Sequence, residues 1–511
     1  MSAIVVPPTV PPAVPPTVHP ILGNLSDIQG DVWSKGFPKY NETYYLFTIK
    51  QERAADFARA LRNMVTHQPH LISNLPTVKN NWAEIVTHKQ AAGSAGSKKE
   101  RLPMPNALIA FTYKGLETIQ SGLASPKSLK LVMIRDRTDP SFASGMRSDA
   151  RLNDPTTDLD PLFADTEVIH GMLKVAGSCI HDVNKRLHDI QTLLGRGSVI
   201  NDVAGGSEGR LDGATRQEPH RGKEHFGFED GISQPLMDGV DDDKAVLATP
   251  IMVTDPKILL VTKDTRTSEG GIPRPDWMHQ GSFLVFRKLE QNVKAFHDLT
   301  KDYEKYGCKS PDHMGAKLMG RWPSGAPITV PDYHTSDAPA ADHEKVKRMN
   351  DFSYERLDAP PHMCPLAAHI RKTNPRMPSD SNNADPGFQF SKMIRSGIPY
   401  GPDYKPGEVE SPESKRGLLF VCYQGYIELG FQHMQSFWCD NKDFPPGKES
   451  GVDPIIGQAS SPEDMKTKIT EGKEAVVLPT GISQLVTFRG GEYFFVPSLL
   501  ALRGALSESK V

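Results

Sequence analysis

The sequence predicts an α+β fold of two ferredoxin-like domains, antiparallel sheets with peripheral helices. Three observations predict it. The chain has 511 residues, too many for one hydrophobic core. Its first half places apolar strand-like runs and amphipathic helical stretches in the split βαβ order. That order then begins again: GSFLVFRKLEQNVKAFHDL (281–299) parallels YYLFTIKQERAADFARAL (44–61). Both read as an apolar strand, a basic residue, a polar helix start, then Phe and Leu on one face.

The opening MSAIVVPPTVPPAVPPTVHP lacks a basic segment and a long apolar run, so it does not read as a secretory signal. Residues 1–22 read instead as a disordered, polyproline-type tail. Either the protein stays inside the cell or a signal was removed earlier. N-x-S/T triplets at Asn24 and Asn41 fit secretion, although such triplets also arise by chance.

Residues 23–235 form the first predicted domain. YYLFTIK (44–50) is its first strand, followed by a helix on which Ala54, Phe57, Ala58, Leu61, Met64 and Val65 share a face. ALIAFTY (107–113) and VIHGMLKVAG (168–177) are the next strands. Ile180, Val183, Leu187, Ile190 and Leu194 then step by three and four along a helix that ends near Gly195. EHFGF (224–228) is the candidate closing strand. Residues 236–511 form the second domain, whose later strands are GLLFVCYQ (417–424) and QLVTFRGGEYFFVPS (484–498). Residues 92–103 read as a surface linker, and 372–388 as a long loop of the kind that often carries function.

Composition excludes several classes. There are 59 basic and 62 acidic residues, net charge −3, so no global field favours nucleic acid or an anionic membrane. No apolar run approaches the roughly 20 residues that span a bilayer. The five cysteines are odd in number and contain no CxxC pair, which excludes zinc-ribbon and thioredoxin-like readings. Cys422 and Cys439 read as buried thiols. No HExxH or P-loop signature is present.

Three stretches carry candidate chemistry. In HFGFEDGISQP (225–235), glycines flank Glu229 and Asp230, marking a tight turn where backbone passes close to something. The Asp is either a turn or helix cap, or a carboxylate held over a ligand. In CPLAAHIRKTNPR (364–376), His369 follows two alanines that would let a flat ligand approach; a core or surface histidine is the plainer reading. Arg371, Lys372 and Arg376 cluster beside it, as ligand carboxylates would require. In SKMIRSGIPYGPDY (391–404), Arg395 precedes a Gly-Ile-Pro turn; a surface arginine is the plainer reading there.

Taken together, these stretches resemble the dye-decolourising peroxidase family, most closely its fungal branch, from about residue 25 to 503. GFEDG matches the family's GxxDG motif, AAHIRKTNPR its proximal-histidine segment and IRSGIPYG its distal-arginine segment. DIQGD (27–31), GSFLVFRKLEQ, AKLMGRWPSGAP (316–327), GLLFVCYQ, DPIIGQ (453–458) and GGEYFFVPS also look like family segments.

The resemblance implies one non-covalent haem b per chain, enclosed between the two domains. It implies that His369 is the axial iron ligand and that Asp230 and Arg395 face the peroxide. Leu418 and Phe420 would wall that side, Ile232 and Arg376 would add cofactor contacts, and Asp453 would accept the far N–H of His369. Glu229 would point away, toward an Arg or Lys. The implied reaction is peroxide-driven oxidation of anthraquinone and azo dyes and of phenolic, lignin-related aromatics. Manganese(II) is a further candidate reductant, and the chain would act as monomer or homodimer. Tyr400 and Trp438 are the candidate surface rings for relaying electrons from dyes too bulky to enter. A haem carrier or deferrochelatase-like protein is the alternative. A non-haem hydrolase is a third reading, which the missing signatures disfavour.

Peroxide must lose a proton and then return it to the outer oxygen, so one positioned base that becomes an acid can serve both steps. Ordinary aspartates are bases in mildly acidic solution and poor acids near neutrality. Dye oxidation should therefore peak well below pH 7; a pH–rate profile with its maximum above 7 would count against Asp230 as the shuttle.

Overall fold

The computed structural model describes residues 19 and 21–508, except 94–100, 126, 206–207, 242–252, 263–273, 334, 343–348, 351, 353, 355–363, 377–389, 410, 447, 460, 471–472 and 480–483. The expected disordered tail lies mostly outside these residues, as do the centres of the two expected loops. Leu22, assigned to the tail, is instead buried in the core.

Ten strands form one antiparallel sheet: β1 (Asn41–Ile49), β2 (Asn106–Phe111), β3 (Gly171–Gly177), β4 (Ile200–Asp202), β5 (Arg210–Ala214), β6 (Ser282–Gln291), β7 (Ile394–Arg395), β8 (Ile398–Tyr400), β9 (Gly417–Gln424) and β10 (Val486–Val496). Their order is β8-β9-β6-β10-β2-β3-β1-β4, with β5 also on β1 and β7 also on β9. Within each half the order is second, third, first, fourth strand, which is the ferredoxin-like arrangement. The duplication visible in the sequence is thus a duplication of topology.

The halves join at both edges. β10 pairs with β2 at Phe495 and Phe111 alone. Gln29, 1% exposed, reinforces that seam: its Nε2 donates to Ile109 O (3.0 Å) and Pro497 O (2.8 Å), and its Oε1 accepts from Ile109 N (2.9 Å). At the other edge β5 packs on β8 so closely that a Cβ on Gly213 would lie 2.4 Å from Ile398 Cγ2. The sheet therefore curls into a barrel. Tyr44, Leu46, Leu108, Met172, Leu284 and Phe494 are among the apolar residues buried together in its interior cluster.

Helices cover the outside of the first half. α1 (Ala54–His67) buries the six residues that its periodicity selects. α2 (Tyr113–Gly122) packs beside it. α3 (Ile180–Leu194) ends at Gly195, whose φ of +76° supplies the left-handed C-terminal cap. In the second half α4 (Val293–Lys301) follows β6, its first turn capped by Asn292, which accepts from Ala295 N (2.9 Å). No helix of the described residues is long and apolar enough to cross a membrane. All five cysteines are free; Cys422 and Cys439 are buried as expected and Cys179 is exposed.

One predicted element is wrong. EHFGF is not a strand; β4 and β5 close the first half instead. Residues 224–228 are irregular because the Glu224 carboxylate, not a neighbouring strand, accepts the amides of Phe226 and Phe228.

Glu492 on β10 is 4% exposed, and burial pushes its carboxyl up to about 7 although Met146 N and Tyr493 N donate to it. A raised carboxyl contributes stability that is full below its unfolded value of 4.5 and is lost as pH rises toward the folded value. Unfolding temperature should thus decline between pH 5 and 7 more steeply in the wild type than in Glu492→Gln, as scanning calorimetry across that range would show. Equal slopes would refute the assignment.

Candidate active site

Strand alternation builds the site. On β9, Leu419, Val421 and Tyr423 face the barrel interior, while Leu418 and Phe420 face the other way. Register carries that outer face across the sheet: Phe420 lies opposite Arg287, Leu418 opposite Leu289, and Leu289 opposite Phe488. In the first half the matching face is buried under helices. Here it forms one wall of a cavity of about 280 Å³. Asp230, Ile232, His369, Arg376, Arg395, Leu418 and Phe420 all line this cavity.

His369 opens α5 (His369–Thr373), immediately after the buried Ala367 and Ala368. Its Nδ1 is 2.9 Å from Asp453 Oδ2. Asp453 has no exposed surface, and its Oδ1 accepts from Ile455 N (2.8 Å) and Ile456 N (3.0 Å). Burial alone would raise this carboxyl; His369 and the two amides outweigh it and hold it below the usual aspartate value. A carboxylate at that position accepts a hydrogen bond from Nδ1–H, which leaves Nε2 as the ring nitrogen with a lone pair for the cavity.

Asp230 sits in a tight loop. Asp230 N donates to Gly222 O (3.1 Å) and Glu224 N to Phe228 O (3.0 Å). Gly227 and Gly231 have φ of +101° and +74°, with nothing within 4 Å of a would-be Cβ. These glycines serve left-handed backbone, not the close approach expected from the sequence. Asp230 Oδ1 accepts from Arg395 Nη1 (3.0 Å) and Gly231 N (2.6 Å). Arg395 Nη2 donates to Ser233 O (3.0 Å). Both side chains are partly exposed, 38% and 32%.

The basic cluster after His369 divides. Arg376 lines the cavity, with Nη1 donating to Asn350 O (2.6 Å) and Phe352 O (3.0 Å). Arg371 and Lys372 do not line it, contrary to the sequence expectation. Arg371 donates to Cys364 O (2.7 Å) and covers the Tyr354 ring. Lys372 is buried against the carbonyls of Asn441 and Phe444, and burial pushes its ammonium down to about 8. Adjacent residues on a one-and-a-half-turn helix point to different sides, so sequence adjacency overstated the cluster.

Of the two proposed relay rings, Trp438 is buried and Tyr400 is half-buried. Trp438 is 1% exposed, stacked on Phe444 at 5.5 Å and edge-on to His433 at 5.3 Å. The exposed aromatic there is Phe437, stacked on His433 at 4.8 Å. The Tyr400 hydroxyl is buried without a hydrogen-bond partner among the described residues, and burial raises its pKa strongly.

Three residues of the site escaped the sequence reading. Arg321, inside AKLMGRWPSGAP, lines the cavity at 6% exposure and bonds neutral oxygens of Gly325, Met349 and Asn350. Burial, and then neighbouring Arg376, bring its guanidinium down to about 9. Two such cations at one cavity wall favour an anionic ligand group. Gln234 brackets Arg395, accepting from its N (3.0 Å) and donating to its O (2.6 Å). Glu224 lines the cavity and accepts from Phe226 N and Phe228 N, both at 2.8 Å, and from Gln291 Nε2 at 2.5 Å. Burial raises its carboxyl against those donors. Glu229, expected to point away, also lies on the cavity lining, with its carboxylate near Gly222.

Comparison with known proteins places most of the chain beside one family. The family model described as "DyP dimeric alpha+beta barrel domain" matches residues 27–210, and "Dyp-type peroxidase, C-terminal" matches 261–445. Peroxidase 2 of Mycetinis scorodonius is 34% identical over 95% of this chain and 88% of its own length. Dye-decolorizing peroxidase AauDyP1 of Auricularia auricula-judae is 32% identical over 95% and 87%. The solved structure of a point mutant of the Pleurotus ostreatus dye-decolorizing peroxidase has a TM-score of 0.79 at 30% identity, over 96% of this chain and 100% of that one. A deferrochelatase from Escherichia coli is 26% identical over 53% of this chain and 51% of its own. With two family models in tandem and relatives matched nearly end to end, the chain belongs to the dye-decolourising peroxidase family.

Proposed function

We propose that this peroxidase binds one non-covalent haem b in the cavity and uses hydrogen peroxide to oxidise dyes and phenolic aromatics. The observation that carries the reading is the joint lining of one cavity by a carboxylate-braced imidazole and by an Asp–Arg pair. The residues fit the group. His369 Nε2 suits iron, the Leu418, Phe420 and Phe488 wall suits a flat apolar ring, and Arg321 with Arg376 suits its carboxylates. When bound, haem supplies the redox centre that accepts oxidising equivalents from peroxide and passes them to the reductant.

Asp230 Oδ1 is engaged by Arg395 and Gly231, so Oδ2 is the atom assigned to take the peroxide proton and return it to the outer oxygen. Arg395 remains charged at any working pH and offsets negative charge as the O–O bond breaks. Ile232, Leu418 and Phe420 exclude water beside this pair. Asp453 accepts a hydrogen bond from His369 Nδ1–H and so orients the imidazole toward the cavity.

For bulky dyes, Trp438 is the better relay of the two rings. Among the described residues the Tyr400 hydroxyl has no hydrogen-bond partner to receive a proton on oxidation. A relative solved in complex with 2,6-dimethoxyphenol, 29% identical with a TM-score of 0.74, supports phenols as reductants here. Steady-state kinetics over anthraquinone and azo dyes, phenols and manganese(II) would rank them. The haem-carrier alternative is weaker because a carrier needs a ligand and propionate contacts but has no use for the Asp230–Arg395 pair.

Purified protein should take up haem 1:1 and shift its Soret band within seconds of peroxide addition. Arg395→Leu should keep haem but react with peroxide slower by on the order of 10²–10³-fold; stopped-flow rates near wild type would remove Arg395 from the mechanism. His369→Ala should lose the native Soret spectrum or the haem itself, and retention of both would refute His369 as the residue that would hold the iron.

A further inference from the structure

The DIQGD segment takes no part in the cavity, yet its last residue is a fully buried charge. Asp31, Glu42 and Lys174 have no exposed side-chain surface, and Lys39 retains 16%. They meet in the barrel interior. Lys174 Nζ donates to Asp31 Oδ2 (2.6 Å) and lies 3.2 Å from Glu42 Oε1; Lys39 Nζ lies 3.1 Å from Glu42 Oε2. Tyr44 OH donates to Glu42 (2.6 Å) and Tyr423 OH to Asp31. Burial would neutralise Asp31 and Lys174, but each holds the other charged, the carboxyl below and the ammonium above its usual value.

Two cations and two anions are a poor filling for a barrel if stability is the only purpose. Well-packed apolar replacements of buried ion pairs are often neutral or stabilising. Asp31 Oδ1 accepts from Phe37 N (2.7 Å), and the residue that three of the four charges share is Ser396. Both ammonium groups donate to Ser396 O (Lys174 2.9 Å, Lys39 3.0 Å) and to Ser396 Oγ (2.9 and 3.3 Å), and Ser396 Oγ donates to Asp31 Oδ1 (3.1 Å). Ser396 directly follows Arg395, whose own backbone Gln234 grips from the cavity side. All four charges come from the first half of the chain, and the arginine from the second.

We propose that the Asp31–Lys174–Glu42–Lys39 quartet is a positioning device for Arg395, through which the first half of the barrel fixes the guanidinium over the peroxide site. This rests on the role given to Arg395 above.

Asp31→Asn/Lys174→Met removes one charge of each sign and leaves Lys39 paired with Glu42. In the holoenzyme it should retain haem, slow the reaction with peroxide by at least about tenfold through misplacement of Arg395, and speed backbone amide exchange in peptides spanning 391–400. Added to Arg395→Leu it should cause no further loss of peroxide rate, because the residue it positions is gone. A rate within about twofold of wild type, or an equal additional loss in the Arg395→Leu background, would overturn the proposal. Should Arg395→Leu alone react at the wild-type rate, the role of Arg395 fails instead, a separate result. If the double variant does not fold, Ser396→Ala leaves every charge paired and serves in its place. It should slow peroxide reaction roughly threefold and loosen the same peptides; wild-type behaviour in both would also overturn the proposal.

Discussion

The site depends first on one hydrogen bond, from His369 Nδ1 to Asp453. Its partner carboxylate is fully buried, and the amides of Ile455 and Ile456 occupy its other oxygen. A carboxylate so constrained has one use left for Oδ2, and that use fixes both the plane and the tautomer of the imidazole. Without it, the ring on a five-residue helix could turn, and no particular nitrogen would be committed to the cavity. Everything proposed about the opposite groups presumes that this nitrogen is in place.

The second constraint is topological. Both halves use the same strand order, but their outer faces differ. On β1 and β3 the outward residues Tyr45, Phe47, Leu173 and Val175 are covered by helices and belong to a closed apolar cluster. On the corresponding strands of the second half the outward residues are Arg287, Leu289, Leu418 and Phe420. Duplication followed by uncovering one face gives a cavity with a rigid floor. The inward faces of both halves remain free to hold the barrel core and the buried charges within it.

Much of this was legible in the sequence, and the divide is physical. α1, α3 and β9 could be read because their information is local: a period of 3.6 or 2 and a glycine at a helix end. The motif residues Asp230, His369 and Arg395 could be found by their segments and do line one cavity. What could not be read is long-range. Gln234 meets Arg395 across 161 positions, and Lys174 meets Ser396 across 222. Glu224, read only as the start of the EHFGF strand, could not be placed because two of its partners are backbone amides, which leave no side-chain pattern. The depth of Trp438 could not be read, because an aromatic residue in a sequence carries no mark of burial. Arg371 and Lys372 misled for the opposite reason, since neighbours in sequence on a helix are not neighbours in space.

These long-range contacts share one consequence. Asp230 and Arg395 are partly exposed, and exposed charges ordinarily gain little from pairing because side-chain disorder and solvent screening offset the attraction. Here their backbones are not free to respond. Glu224 accepts two amides of the Asp230 loop, Gln234 brackets Arg395, and Ser396 is anchored in the barrel interior. The electrostatic benefit of a charged group to a reaction is greatest when no reorganisation is needed as charge develops. Ordering these two loops during folding supplies that condition before peroxide arrives. A flexible arginine of the same charge would attract the same anion but would have to be ordered within each turnover, so the buried carboxylates and lysines far from the chemistry bear on its rate.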